Sequence, residues 1–130
     1  MRHISVEGVI LVIAVSAYLF CTFGPYRPMI VMSRSMEPSI KRGDILIGEK
    51  VTKETCLDVG DVCTYIPMDA GYTVTHRIIA INGDTYVFKG DNNEKEDEEI
   101  VSRDRIKYHI IRKAGHLRRF IIFTTHMFLL

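Results

Sequence analysis

Tyr72-Thr-Val-Thr-His-Arg-Ile-Ile-Ala-Ile-Asn-Gly-Asp-Thr-Tyr-Val-Phe-Lys89 reads as a β-hairpin. Tyr72 to Ile81 and Thr85 to Lys89 favour strands, and Asn82-Gly83 between them is a strong turn signal. Working outward, Gly-Asp recurs at Gly43-Asp44, Gly60-Asp61, Gly83-Asp84 and Gly90-Asp91. The first three precede short β-favouring runs: Ile45 to Ile47, Val62 to Ile66 and Thr85 to Phe88. The spacings are uneven, so this is not a repeat. Met29 to Met32 reads as a further short strand, and another falls within Ile106 to Ile111. After the hairpin, Asp91-Asn-Asn-Glu-Lys-Glu-Asp-Glu-Glu99 is densely acidic and reads as a solvated loop. Residues 29–113 are therefore expected to form a β-rich domain.

The 130 residues suffice for one domain with a modest core. A net charge of +1 gives no electrostatic case for a nucleic-acid partner. Composition is near the globular average, but the apolar residues pile up at the two ends. Of three cysteines, Cys21 lies in the first apolar run; Cys56 and Cys63 could pair in an oxidising compartment. Their spacing fits no zinc signature, and His76, His109 and His116 have no metal-ligand spacing. No cofactor and no metal are expected.

Residues 1–28 read as a membrane anchor. Gly8 to Tyr26 is uncharged, between Glu7 and Arg27. As a helix this run is about 28 Å long, against a hydrocarbon core of about 30 Å. Tyr18, Phe20, Phe23 and Tyr26 gather at its far end like an interfacial belt. A cleavable signal peptide has a shorter apolar core, and a buried core helix rarely lacks a polar face. Arg2 and His3 before the run, and Arg27 and Arg34 after it, leave charge nearly silent on orientation. Residues 114–130 form a basic, then apolar tail. Phe120 to Leu130 is too short to span alone, so it reads as interfacial or membrane-associated. The alternative is a terminal helix packed on the core.

Chemistry gathers at Ile30-Val-Met-Ser-Arg-Ser-Met-Glu-Pro38. Pro38 ends regular structure, so Ser35 lies where a strand hands over to a turn. A hydroxyl there can be exposed on a rigid backbone, as a nucleophile requires. A lone serine in such a place is most often only a turn residue. His76, mid-strand, is a suitable base for neutral pH. Asp91 and Asp97 flank the acidic loop, and either could accept from the second imidazole nitrogen.

Four motifs then occur in order. They are Ser33-Arg-Ser35-Met36-Glu-Pro38, Arg42-Gly43-Asp44-Ile-Leu46, Thr75-His76-Arg77-Ile78, and Lys89-Gly90-Asp91-Asn92-Asn93 with Asp97 following. Together, behind an apolar N-terminal run, they resemble the type I signal peptidase family. The likeness is to its Ser-His branch, the endoplasmic-reticulum, archaeal and sporulation-associated one, because bacterial leader peptidases carry lysine where this chain has His76. The resemblance covers Gly8 to Asp97 well and thins beyond 113. The chain departs from it at Ile110-Ile111-Arg112-Lys113, where the family often has a Gly-Lys or Gly-Arg pair.

The resemblance implies a mainly β fold: an N-terminal transmembrane helix, then a small antiparallel catalytic domain. It implies Ser35 as nucleophile, His76 as general base and Asp97 as third member, with Asp91 as runner-up. The Ser33 hydroxyl and the Ser35 backbone N–H would form the oxyanion hole, and Met36 would pack or line the substrate cleft. The implied activity is serine endopeptidase cleavage of secretory preproteins after small residues. The catalytic domain would stand on the extracytoplasmic or lumenal face of a single-pass anchor. Membrane lipid, the translocation machinery or other processing-complex subunits are the implied partners. The alternatives are a peptidase devoted to a few precursors, and a non-catalytic subunit that binds signal peptides. A repressor-type autoprotease is disfavoured by His76 and the anchor.

Overall fold

The computed structural model describes residues 5–116. Arg2, His3 and the tail from residue 117 onward, including the apolar run Phe120 to Leu130, lie outside the described residues.

Helix α1 spans Val6–Phe23 and is capped by the Ser5 hydroxyl, which accepts from the Gly8 N–H at 3.2 Å. Its 18 residues have a mean hydropathy of 2.1 and none is buried. By length and composition it can cross a membrane. It stops three residues short of the end of the uncharged run because Pro25 disfavours helical backbone at Gly24. The chain turns directly into β1 (Tyr26–Ile30), which starts earlier than Met29 and takes in residues read above as anchor.

The remaining strands are β2 (Asp44–Lys50), β3 (Val62–Tyr65), β4 (Val74–Asn82), β5 (Thr85–Lys89), β6 (Ile100–Ser102) and β7 (Ile106–His116). They form one antiparallel sheet in the order β1-β2-β7-β3-β4-β5-β6. Pro28 is tolerated because β1 is an edge and its nitrogen need not donate outward. The β4–β5 hairpin turns at Gly83-Asp84, one residue later than the Asn82-Gly83 signal, because Asn82 still pairs with Thr85; Gly83 takes a φ of +61° that a side chain would disfavour. The short strand β6 was not anticipated. It pairs with β5 just after the acidic run. The late strand expected at Ile106 to Ile111 extends to His116 and lies between β2 and β3.

Two apolar clusters hold the sheet. The larger gathers Leu57, Cys63, Tyr65, Ile78, Tyr86, Phe88, Val101 and Ile106. The smaller, Met36, Ile40 and Leu46, pins the loop after β1 onto β2. Cys56 is exposed, Cys63 is fully buried and both are free. Burial, with Asp61 nearby, pushes the Cys63 thiol up to about 12, so it is not a nucleophile at neutral pH.

Candidate active site

Ser35 sits in the turn region after β1, and its backbone is held from several sides. Its carbonyl accepts the Asn92 N–H at 2.8 Å. The next residue, Met36, is 2% exposed and inserts into the smaller cluster. The Met36 carbonyl accepts from the Ile40 N–H at 2.9 Å and the Ser39 hydroxyl at 2.8 Å. The Ser35 side chain is left to chemistry, and its Oγ lies 3.0 Å from the Ser33 Oγ.

His76 lies on β4 opposite Cys63 of β3. Its Nδ1 is 2.6 Å from Asp97 Oδ2. A proton on Nδ1 directed at that carboxylate leaves Nε2 as the basic nitrogen. Ser33, Ser35, Met36 and His76 line one cavity of about 540 Å³, with Met29, Leu46 and Val74 among its apolar walls. Among the described residues no hydrogen bond joins Ser35 to His76; the Ser35 hydroxyl is engaged with Ser33 instead.

The two candidate aspartates have different neighbours. Asp97 meets His76, accepts the Tyr65 hydroxyl at 2.7 Å, and donates its own N–H to the Phe88 carbonyl at 2.8 Å. Burial pushes its carboxyl up, but the hydrogen bonds from His76 and Tyr65 outweigh that and hold it below the usual range. Asp91 instead takes Arg77 in two bonds, Nε to Oδ1 at 2.8 Å and Nη2 to Oδ2 at 2.6 Å, and also accepts from Ser39. Arg77 first, with Ser39, holds its carboxyl low. Asp91 thus links the Ser35 loop, through Ser39, to the strand that carries His76. Arg77, Ser39 and Tyr65 were not singled out from sequence. Arg77 had one local signal, its place beside His76.

Residues 3–118 match the family described as signal peptidase, peptidase S26. The chain belongs to that signal peptidase family. It is 40% identical to Signal peptidase I W of Bacillus subtilis over 81 residues, covering 59% of this chain and 42% of the relative. It is 36% identical over 88 residues to the signal peptidase complex catalytic subunit SEC11 of Fusarium vanettenii and to that of Verticillium alfalfae. Each of those matches covers 63% of this chain and 50% of the relative. The chain spans about half the length of the curated relatives it matches.

In this signal peptidase family member, Gly90 carries a close approach. A Cβ there would lie 2.6 Å from the Ser35 carbonyl oxygen and 2.8 Å from Asn93 Nδ2. Gly90→Ala is therefore expected to push the Ser35 turn away from the 90–93 loop and to destabilise the domain by about 1–3 kcal/mol. Thermal unfolding in detergent, beside a cleavage assay, checks this; unchanged melting would mean that the two loops separate at no cost.

Proposed function

We propose that this chain is a membrane-anchored serine endopeptidase that removes signal peptides from secretory preproteins. Ser35 is the nucleophile, His76 the general base and Asp97 the group that orients and stabilises the imidazolium. The observation that carries this reading is the His76–Asp97 bond of 2.6 Å, with His76 and Ser35 lining one cavity.

The Ser35 hydroxyl turns from Ser33 toward His76 Nε2 and gives up its proton as Oγ attacks the scissile carbonyl. The freed Ser33 hydroxyl and the Ser35 backbone N–H donate to the oxyanion, each such donor contributing about 3 kcal/mol in the transition state. The protonated His76 hands its proton to the leaving amine. Water, deprotonated by His76, then opens the acyl-enzyme ester. Apolar cavity walls suit the small residues that precede the cut in substrates of this family. Asp91 acts as a brace, through Arg77 and Ser39, not as third member of the triad.

Among the described residues none of helix α1 is buried, and its apolar length suits a bilayer. Enzyme and signal peptide confined to one membrane meet at raised effective concentration. The catalytic domain then faces the side where the preprotein emerges, with the translocation machinery or further processing subunits as neighbours.

The test uses the purified full chain and His76→Ala with a preprotein bearing a small-x-small site, in detergent or liposomes. The expected result is one cut after that site, mapped by mass spectrometry and lost in the variant. No cut by the folded wild type would favour a non-catalytic, signal-peptide-binding subunit.

A further inference from the structure

Tyr65 is 3% exposed on β3, and its ring stacks on Phe88 with centroids 4.6 Å apart. Its hydroxyl donates to Asp97 Oδ2 at 2.7 Å, and His76 Nδ1 lies 2.6 Å from that same oxygen. The Phe88 under the ring also holds Asp97, by accepting its backbone N–H. Resting on the reading above, we propose that Tyr65 is a positioning residue, whose phenol aims the Asp97 carboxylate at His76 and keeps it ionised.

The physical need is plain. Asp97 is largely sheltered, and a sheltered carboxylate tends to take up a proton. Protonated, it could neither accept firmly from Nδ1 nor balance an imidazolium. A carboxylate oxygen can accept two donors, and Oδ2 has two here. The phenol remains a donor throughout, since burial first, then its bond to Asp97 and the Asp97 charge, all oppose its own ionisation. Other charges facing the group are Glu99 and Arg105 beside Tyr65, and Asp91 beside His76. The Cys63 thiol, opposite His76, stays neutral. Glu99 and Arg105 pair with each other, and Asp91 pairs with Arg77, so Tyr65 and His76 remain the direct donors to Asp97.

Tyr65→Phe keeps the ring on Phe88 and removes only the hydroxyl. In the full chain, kcat for preprotein cleavage is expected to fall about tenfold, with KM unchanged within about twofold. Without the phenol, the undivided charge on Asp97 binds protons and the imidazolium more tightly. The acid limb of the rate profile should therefore move up by about half a pH unit. In an Asp97→Asn background the same substitution should have little further effect. A wild-type kcat and pH profile for Tyr65→Phe, or an equal loss in both backgrounds, overturns the proposal. If Tyr65→Phe does not fold, 3-fluorotyrosine at position 65 keeps the packing and strengthens the donor. The acid limb should then move down, and an unmoved limb overturns the proposal. Ser35→Ala, assayed alongside, separates the two readings: retained cleavage sinks the serine mechanism itself, whereas its loss beside a wild-type-like Tyr65→Phe sinks only the role of Tyr65.

Discussion

Ser35→Ala is expected to lower preprotein cleavage by at least about 10⁴-fold while the protein stays folded. The substitution deletes one oxygen, whose bonding partner is the exposed Ser33 hydroxyl. The contacts that hold the turn are untouched. The Asn92 N–H bonds to the backbone carbonyl of residue 35, and the buried peg is Met36. Stability should therefore change by less than about 1 kcal/mol. Single-turnover cleavage and thermal unfolding measure the two halves. Cleavage that persists would redirect attention to Ser33, whose Oγ is 3.0 Å away.

The second large effect separates two aspartates six positions apart. Asp97→Asn should cost about 10³- to 10⁴-fold in kcat with little change in KM. A neutral amide cannot balance an imidazolium, and its NH₂ can turn toward Nδ1 and move the ring proton to Nε2, where the base must be empty. Asp91→Asn should instead act mainly on stability, by about 1–3 kcal/mol, because it leaves Arg77 short of its two-pronged partner. The acid response has a definite sign. The Asp91 carboxyl is held low in the folded protein, so its stabilisation is present above the unfolded value of about 3.9 and lost as pH falls through the lower folded value. Wild-type stability should decline across that window, and Asp91→Asn should decline less steeply there. Equal rate losses in the two variants at matched stability would remove the distinction between them.

What could be read in the chain followed the range of the interactions. Helix α1 is written in a run without charges, and the β4–β5 hairpin in Asn82-Gly83, because both depend on near neighbours. The strand order is not written this way. Lys50 pairs with Tyr108 and Cys63 with His109, and no local pattern says that β7 must enter between β2 and β3. Strand β6 is three residues long and follows an acidic run, too little for any periodicity. The site divides similarly. Ser35 and His76 stand in short motifs, but Asp91 and Asp97 share one polar loop, and spacing alone left both open. They differ only in what the fold brings opposite: Arg77 for one, His76 and Tyr65 for the other. Tyr65 had no signal, because its partner lies 32 positions away and its neighbours are ordinary strand residues.

The junction between α1 and β1 sets a height. Only Gly24 and Pro25 separate helix from sheet; the Gly24 N–H still bonds to the Phe20 carbonyl, and the Pro25 carbonyl already accepts from Lys50 at 2.7 Å. The domain is thus mounted on its helix without slack. Ser35 lies eleven positions after Gly24, so it stands at most about 40 Å from the helix end, and nearer along the paired strand. On the function proposed above, with α1 in a bilayer and Ser35 as nucleophile, this fold would work as a depth gauge. A peptide bond of perfect sequence that emerged too far from the membrane would pass beyond the serine, and distance from the lipid would become part of substrate choice.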